Sequence, residues 1–346
     1  MVEDAAAEYE SEETVAGIAG AIEDLGHQVV HLPYRPSFPQ DVLKARPDIV
    51  FNIAEGWQGR NREALIPAIL EFYHIPYTGS DPLTLAATLD KAVAKMMVAA
   101  AGIRTPAFLK VESPVQCQKA HVRYPVFVKP CCEGSSKGIR FSSLARNRRE
   151  LLEKVAWVTH TYGQAALVEE FLPGREFTVG IIGNEELTVL PIMEVVPGPE
   201  LATGGEQLFT GGEENSAPGA GESALASSGA GTEFIYSYEV KSGNLERFLC
   251  PAPLEPGLEA AIRHLAVRAY RVLECRDLAR VDIRLDKTGR PNFLEVNPLP
   301  GLSAVSLFPL QARAAGMSFR DLVGGILDAS LRRLGLGRYM AMRMIG

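Results

Sequence analysis

A hairpin in the last quarter of the chain constrains the fold more than any other stretch. Residues 280–285 alternate polar and apolar side chains, residues 286–289 are typical of a turn, and residues 291–296 indicate a second short strand. Side chains two apart on a strand point to the same face, so Glu295 and Asn297 lie together, with Asp282 on the first strand. The pattern therefore predicts that two carboxylates and a carboxamide converge at one end of a hairpin.

Oxygen donors of this kind, without histidine or cysteine among them, are the ligands that Mg²⁺ prefers. The alternative left open by the spacing is a hairpin whose acidic side chains are only solvated. The next residues, 298–301, combine two prolines with Gly301 and leave backbone amides open to an oxyanion, while Ser303 and Ser306 add hydroxyl groups. These neighbours favour the metal site.

Composition and charge exclude several classes of protein. The 346 residues suffice for two or three domains, and 47% hydrophobic with 22% charged residues is typical of a globular chain. A run of about 18 apolar residues and a basic, apolar leader are both missing, which predicts a soluble, cytoplasmic protein without a membrane partner. The net charge of -7 and the pI of 5.5 argue against a nucleic-acid partner.

The cysteines predict neither a zinc site nor a disulfide framework. They are odd in number and lack a paired CxxC spacing, as expected of reduced cytosolic thiols. The five are Cys117, Cys131, Cys132, Cys250 and Cys275.

The first 79 residues alternate helical and strand-like segments. Ser11 is a suitable N-cap for a helix that runs to Leu25, where Gly26 ends it. Strands are predicted at residues 28–32, 48–53 and 75–79, and helices at residues 41–44 and 64–73. We therefore predict an open parallel α/β domain, although the strand that usually precedes the first helix is not visible.

The loop after residue 53 carries candidate substrate contacts. It is polar, contains glycine and lies at the carboxyl end of a predicted strand, where open sheets bind ligands. The alternative is a solvated loop without a function. The candidates are Glu55, Arg60, Arg62 and Glu63.

A loop with two glycines and two serines, residues 133–138, follows a predicted strand at residues 124–130 that contains Lys129. Its N–H and hydroxyl groups suit phosphate oxygens. No Gly-Lys-Ser/Thr closes the loop, so it is not a Walker A motif. Upstream, residues 83–101 predict one helix with Lys91 in its middle, facing either solvent or a phosphate.

The same loop fits G-x-S-x-G, the nucleophile elbow of serine hydrolases, with His160 or His264 as a nominal base. That motif requires a strand, a sharp turn and then a helix. Residues from Ile139 onward alternate as in a strand, and Lys129 has no role in a hydrolase. The pattern therefore favours phosphate binding.

An apolar strand at residues 165–172 leads through a Pro-Gly turn into another strand, residues 175–182. Its backbone suits an adenine edge and Glu176 suits ribose hydroxyls, while the alternative is ordinary sheet structure. Residues 198–232 are poor in large apolar side chains, which predicts a flexible insertion or lid, and Lys241 follows it within reach of a phosphate. Further helices are predicted at residues 147–159, 258–273 and 318–334.

Five stretches carry motifs that occur together in one known order: Thr88–Lys91, Val126–Pro130 with Glu133–Gly138, Leu167–Val179, Arg280–Asp282 and Glu295–Gly301. Together they resemble the D-alanine–D-alanine ligase family of ATP-grasp enzymes, over residues 75–334. The resemblance implies a mixed α/β (α+β) chain with an ATP-grasp fold. It also implies an N-terminal substrate domain at residues 1–79, a central subdomain at 80–173 and a C-terminal subdomain at 174–346, with ATP between the last two.

By this resemblance, ATP and two Mg²⁺ ions, or Mn²⁺ in their place, bind residues at matching positions. Lys91 and Lys129 would hold ATP phosphates, and Lys241 the γ-phosphate. The base and ribose would contact Glu169, Glu170, Phe171, Leu172 and Glu176, and the metal ligands would be Asp282, Glu295 and Asn297. Arg280 and the Gly301 amide would stabilise the tetrahedral intermediate. Ser135 would lie at the amino-acid site, and Ser306, beside Leu307, would receive the carboxylate of the second amino acid.

The implied reaction is carboxylate activation. A carboxylate attacks the γ-phosphate to form an acyl phosphate, and an amine then displaces phosphate. The implied partners are small amino acids, with a homodimer as an option.

Three positions depart from the family pattern. The glycine-rich first strand with its substrate-binding glutamate is not visible, so the ammonium contact is either Glu10, Glu12 or Glu13 or is absent. The usual His-Gly is Glu55 and glycine here, and Ser242 replaces a tyrosine. The alternatives are therefore a relative that joins a different amino acid, hydroxy acid or peptide, and a nucleotide-binding relative without ligase activity.

Overall fold

Two antiparallel sheets organise the chain. The computed structural model describes residues 10–118, 121–198, 235–243 and 245–336. The strands are β1 (Phe108–Val111), β2 (Val126–Pro130), β3 (Leu144–Ala145), β4 (Ala166–Glu170), β5 (Glu176–Gly183), β6 (Leu187–Val189), β7 (Met193–Pro197), β8 (Glu246–Leu249), β9 (Leu278–Leu285) and β10 (Pro291–Asn297). The smaller sheet has the order β1-β4-β2-β3 and the larger β10-β9-β5-β7-β8, with β6 also paired to β5.

Helices cover the sheets and form the N-terminal region. They are α1 (Glu12–Asp24), α2 (Phe38–Ala45), α3 (Leu65–Phe72), α4 (Pro82–Leu89), α5 (Lys91–Ala100), α6 (Pro114–Cys117), α7 (Arg148–Tyr162), α8 (Tyr238–Ser242), α9 (Pro256–Val272), α10 (Leu307–Ala314) and α11 (Phe319–Arg333), with 3-10 turns at Arg62–Ala64 and Phe141–Ser143. Ser11 caps α1 as predicted, since its side chain accepts a hydrogen bond from the N–H of Thr14 at 3.1 Å.

The predicted hairpin is confirmed as β9 and β10. Asp286 shapes its turn, because one carboxylate oxygen accepts hydrogen bonds from the N–H groups of Thr288 at 2.8 Å and Arg290 at 3.1 Å. Gly289 has a φ of +77°, a conformation that favours glycine.

β5 is buried on both faces, which explains its almost unbroken apolar sequence. Phe177, Val179 and Ile181 lie in one core cluster with α5, α9 and β9. Ile182 lies in a second cluster with residues of α1, α10 and α11. Gly180 is required here, because a Cβ at this position would lie 2.7 Å from a methyl carbon of Leu190. The larger sheet is thus a rigid support for the residues on β9 and β10.

Within residues 10–79, the described part of the predicted parallel domain, the parallel pairing is limited to one bridge, between Val50 and Tyr77. The N–H of Val50 donates to Pro76, and that of Thr78 donates to Val50 at 2.9 Å. The strand predicted at residues 28–32 is wrong, since this stretch has no regular structure and pairs with no described strand. An extended segment without a neighbour leaves its backbone groups to water.

The single helix predicted at residues 83–101 is also wrong. Asp90 has an extended backbone, with ψ at 95°, and separates α4 from α5. Its side chain accepts a hydrogen bond from the N–H of Val93 and caps α5. As a result, Lys91 lies in the first turn of a helix and not in its middle.

The strand predicted from Ile139 is wrong as well. Residues 141–143 form a 3-10 turn and only Leu144 and Ala145 pair, with β2. The next α-helix does not begin until Arg148. A nucleophile elbow requires an α-helix directly after its turn, so the loop at residues 133–138 does not have the structure of a hydrolase elbow.

Most of the predicted insertion at residues 198–232 lies outside the described residues. Among the helices that the structure does describe, none has both the length and the apolar character needed to cross a bilayer.

Asp277 ties the N-terminal region to the larger sheet and to α11. It is fully buried, and its carboxylate accepts hydrogen bonds from the N–H of Gly79 at 2.8 Å, Ser330 at 2.6 Å and Asn184 at 2.8 Å. Arg333 on α11 donates to both carboxylate oxygens, at 3.0 and 2.7 Å. One side chain therefore joins segments that are far apart in sequence.

We expect Asp277→Ala to lower the free energy of unfolding by about 3–5 kcal/mol, because it leaves a largely buried Arg333 without its partner. The control is Asp328→Ala, which removes the exposed pair of Asp328 with Arg332 and should cost about 1 kcal/mol or less. Urea unfolding of both variants tests this. Equal losses would show that the Asp277 network contributes no more than a surface ion pair.

Candidate active site

A cluster of lysine and glutamate side chains lies where the two sheets meet. Lys129 on β2 is 2.8 Å from one carboxylate oxygen of Glu169 on β4, and Lys95 on α5 is 2.9 Å from the other. Glu295 on β10 lies 3.4 Å from the amino group of Lys91 and 3.9 Å from that of Lys129. We call these five residues the lysine–glutamate cluster. It connects the smaller sheet, α5 and the larger sheet.

Burial disfavours the charged form of each side chain in the cluster, but at most of them the neighbouring opposite charges outweigh this effect. Although burial opposes the shift, the neighbouring lysines hold the pKa of Glu169 below its ordinary value. Burial is also outweighed at Lys129, whose pKa is raised by Glu169 and Glu295, and at Glu295, whose pKa is lowered to about 2 by the cations around it. Burial prevails at Lys95, which is fully buried and whose pKa falls to about 8.

Lys91 joins the cluster to the loop at residues 133–138. Its amino group donates to the carbonyl of Glu133, and its backbone N–H donates to the carbonyl of Cys131 at 3.0 Å. The carboxylate of Glu133 is in turn 2.6 Å from Lys137 and accepts a hydrogen bond from Gln164 at 2.7 Å. The start of the loop is therefore held on both sides.

Two serines of this loop have the left-handed backbone conformation that non-glycine residues seldom adopt. Ser135 has a φ of +48° and Ser136 a φ of +60°. Gly138, at +72°, ends the loop where a Cβ would lie 2.3 Å from the ring of Pro130. Strained backbone of this kind concentrates at ligand-binding loops.

The hairpin sets the predicted metal ligands opposite one another. Asp282 pairs with Glu295, and Arg280 with Asn297, in the register of β9 and β10. Arg280 donates to both carboxylate oxygens of Asp282, at 2.9 and 2.8 Å, and Thr178 donates to one of them at 2.6 Å. The adjacent carboxylates raise the pKa of Arg280 against its burial.

These donors fit a divalent cation. One carboxylate oxygen of Glu295 is buried and has no close hydrogen bond beyond its ion pairs with Lys91 at 3.4 Å and Lys129 at 3.9 Å, so it can still accept a cation. Asn297 has its side-chain oxygen within 2.9 Å of the N–H of Leu299, a bond that leaves it a second lone pair. Asp282, whose carboxylate also accepts hydrogen bonds from Arg280, would be the third ligand. A set of oxygen ligands without nitrogen or sulfur suits Mg²⁺.

The predicted adenine hinge lies at the end of β4. The N–H of Glu170 donates to Ala107 at 2.8 Å and that of Phe171 to Pro125 at 3.4 Å. Glu169, predicted to contact the adenine, pairs with Lys95 and Lys129, and Leu172 is buried beside Phe171. The hinge backbone is thus partly occupied by contacts within the protein.

The predicted ribose contact, Glu176, forms an ion pair with Arg284 at 2.8 Å. Burial, together with the nearby Asp282 and Glu295, raises the pKa of Glu176 although Arg284 opposes the shift. Lys241 lies on α8, and its backbone N–H donates to Ser237 at 3.0 Å.

A small pocket of about 20 Å³ separates the N-terminal region from the turn after β10. Its lining includes Glu10, Asn52 and Glu55 on one side and Pro300 and Leu302 on the other. Glu10 accepts a hydrogen bond from the N–H of Leu302 at 2.9 Å. Of the three N-terminal acids predicted for the ammonium contact, Glu10 reaches this turn, whereas Glu12 and Glu13 are exposed on α1.

The turn after β10 is crowded. A Cβ on Gly301 would lie 2.9 Å from the hydroxyl of Ser306 and 3.2 Å from Glu10. The hydroxyl groups of Ser303 and Ser306 are 2.7 Å apart. Ser306 directly precedes α10, which begins at Leu307, so an anion beside Ser306 would also meet the start of a helix.

The remaining candidates from the polar loop lie beside the loop at residues 133–138. Arg62 is buried, donates to the carbonyl of Cys132 at 2.7 Å, and lies 3.9 Å from both Glu63 and Glu133. Arg60 instead reaches Asp90 at 2.9 Å. These residues hold the neighbouring segments together.

A profile of the family described as "D-ala D-ala ligase C-terminus" matches residues 97–202 and 212–328, which is more than half of the chain. The chain belongs to the D-alanine–D-alanine ligase family. It is an ATP-dependent ligase with the ATP-grasp fold, as the sequence motifs predicted.

Individual relatives agree with this assignment. The chain is 33% identical to "D-alanine--D-alanine ligase" of Pelotomaculum thermopropionicum over 86% of its length and 84% of that protein. It is 36% identical to "Uncharacterized protein y4sG" of Sinorhizobium fredii, over 85% of this chain and 78% of that one. The crystal structure of VanG D-Ala:D-Ser ligase from Enterococcus faecalis superimposes with a TM-score of 0.61 at 25% identity, covering 82% of this chain and 73% of that chain.

Sequence reasoning missed one member of the ligase's lysine–glutamate cluster. Lys95 is fully buried, donates to Thr105 at 3.0 Å and bonds the backbone of Phe293 at 3.4 Å. Its position was detectable, because residues four apart share a helix face and Lys91 was already a candidate.

The pKa of Glu295 predicts how acid affects stability. Its folded pKa of about 2 lies below the ordinary value of 4.5, so its stabilising contribution is present above pH 4.5 and is lost as pH falls towards 2. We expect Glu295→Gln to be less stable than the wild type at pH 7, because Lys91 and Lys129 lose a counter-charge. Between pH 4.5 and 2 this difference should shrink, as measured by urea unfolding.

The control for this experiment is Glu259→Gln, which alters a half-exposed pair with Arg263. Its effect should stay at about 0.5 kcal/mol or less throughout. A difference between wild type and Glu295→Gln that is independent of pH would contradict the assignment.

Proposed function

We propose that this ligase joins two small amino acids of the D-alanine class into a dipeptide, through an acyl phosphate, with release of ADP and phosphate. The observation that carries the proposal is the convergence of Lys91 and Lys129 on Glu295. Three lysines and two glutamates in the cluster leave an excess positive charge, which suits a polyphosphate. A role in peptidoglycan biosynthesis follows from the proposed product.

Lys91 and Lys129 hold the phosphates in this proposal. Glu169 and Glu295 raise the pKa of Lys129 against its burial and so keep it charged at neutral pH. Glu169 also fixes the direction of its amino group, at 2.8 Å. The amino group of Lys91 donates to the carbonyl of Glu133 and so links this lysine to the loop at residues 133–138.

Asp282, Glu295 and Asn297 would hold Mg²⁺ in the proposed site. When bound, the ion neutralises charge on the transferring phosphoryl group. Arg280, which forms an ion pair with Asp282, would then be free to bind the oxyanion that develops as the amine attacks. The Gly301 amide would assist, since the absence of a side chain there permits a close approach to the backbone.

Glu10 and Ser306 would bind the amino-acid substrates. Glu10 is a carboxylate suited to a substrate ammonium group, and Ser306, followed by α10, is suited to a carboxylate. Glu55 and Ser135 would complete the pocket, and Lys241 would close on the γ-phosphate. We further propose the division into domains at residues 79 and 173, and a cytoplasmic homodimer.

Phosphate release is the decisive assay. We expect ATP-dependent phosphate release with D-alanine alone, and weaker release with a panel of L-amino acids, hydroxy acids and dipeptides. Turnover with another acid but not with D-alanine would replace the proposed substrate class. No turnover with any acid would contradict the proposal and favour a nucleotide-binding relative.

Matched lysine variants separate the nucleotide site from the general charge of the protein. Lys129→Met removes a buried phosphate ligand, so phosphate release should fall by about 100-fold or more. Lys287→Met, at an exposed position in the hairpin turn, should retain full activity.

Glu10 provides a test of the amino-acid end. Glu10→Gln should raise the KM for the first amino acid by about 10-fold or more, because a carboxylate binds an ammonium group more strongly than an amide does. The KM for ATP should not change. Glu12→Gln, exposed two residues away, is the control, and an equal effect of both variants would contradict the role of Glu10.

A further inference from the structure

Two adjacent cysteines lie beside the phosphate site without a role in the proposed reaction. Cys131 is fully buried and Cys132 is 7% exposed, and both are free thiols. Asp90, also fully buried, lies next to them, and the ligand atoms of the three side chains lie within 4.8 Å of one another. In the part of the chain that the structure describes, no other group of three or more His, Cys, Asp and Glu side chains is this close.

The two carboxylate oxygens of Asp90 have separate partners. One accepts from Arg60 at 2.9 Å and Lys110 at 2.7 Å. The other accepts from the thiol of Cys131 at 3.2 Å and from the N–H of Val93. The cations therefore occupy one side of the carboxylate, and the thiols face the other.

Exchange of the thiol protons for a divalent cation leaves the local charge unchanged. Two S–H groups release two protons, one M²⁺ forms two bonds to sulfur, and no oxidant or reductant is needed. The ion pairs of Asp90 with Arg60 and Lys110 can persist, because they use the other oxygen.

The distances are compatible with tetrahedral coordination. Bonds of about 2.3 Å to sulfur and 2.0 Å to oxygen place ligand atoms about 3.5–4 Å apart. The three ligand atoms now lie within 4.8 Å of one another, so coordination requires them to move by only about 1 Å. The side chain of Arg60 is 60% exposed and that of Lys110 31%, so movement of these two cations opens a path from solvent to Asp90.

We propose that Asp90, Cys131 and Cys132 form a site for a thiophilic divalent cation of the Zn²⁺ class, with water as the fourth ligand. Two sulfurs and one oxygen prefer Zn²⁺ or Cd²⁺ to Mg²⁺, in contrast to the oxygen donors on the hairpin. The carbonyl of Cys131 accepts the N–H of Lys91, so the cation site is coupled to the phosphate-binding lysine. It does not depend on the identity of the amino-acid substrate.

Cadmium titration of the full chain tests the site. With thiols kept reduced and Mg²⁺ in excess, Cd²⁺ should produce a thiolate charge-transfer band that saturates at a single equivalent. Zn²⁺ should abolish the band and additional Mg²⁺ should not. Absence of the band would overturn the proposal.

Cysteine variants locate the band. Cys131→Ser with Cys132→Ser should lose it, whereas Cys250→Ser, at a partly exposed thiol, should keep it. Thermal unfolding confirms that each variant is folded. A band that survives the double substitution, or disappears with Cys250→Ser, places the metal elsewhere and overturns the proposal.

X-ray absorption of the unaltered chain loaded with one equivalent of Zn²⁺ gives a test that does not depend on variants. Two sulfur ligands at about 2.3 Å, with oxygen completing the shell, support the site. A shell of oxygen and nitrogen alone, or of four sulfurs shared between chains, contradicts it.

Discussion

The buried charges of the lysine–glutamate cluster are the interaction on which the site depends. Glu169 contacts Lys95 and Lys129, and Glu295 contacts Lys91 and Lys129, so two carboxylates face three lysines. Removing one partner from such a cluster leaves a buried charge without compensation, which is more costly than the loss of a surface pair. The smaller sheet and the larger sheet therefore meet in a defined arrangement, and the excess of lysine makes that arrangement attractive to an anion.

The N-terminal region is attached to the rest of the molecule in a different way. The N-terminal region contributes almost no sheet, and it is held through Asp277 and through Glu10. Apolar side chains of α1, among them Ile18 and Ala21, also pack against α10 and α11 and help to fix its position. The small pocket between this region and the turn after β10 is lined partly by irregular segments and partly by Leu278 of β9 and Ile326 of α11.

Much of the hairpin and of the candidate site could be predicted from local sequence patterns. The hairpin of β9 and β10 follows from alternation and a turn signal, and it brought Asp282 opposite Glu295 as expected. Lys91 and Lys129 were recognisable from their motifs. The strand at residues 28–32 was predicted from composition and did not form, because strand propensity does not supply the neighbour that a strand requires. The break at Asp90 was missed for a related reason, since capping competes with helix propensity.

By itself the sequence determined the family, the hairpin and the types of side chain that surround the site. The tertiary structure decided which charges meet: Glu169 lies between two lysines, Arg280 is shared with Asp282, and Asp90 faces two thiols. Other polar contacts join residues such as Glu10 and Leu302, which are separated by 292 positions. Local pattern cannot specify them, because the strength and protonation of a buried charge depend on distance and desolvation in the folded chain.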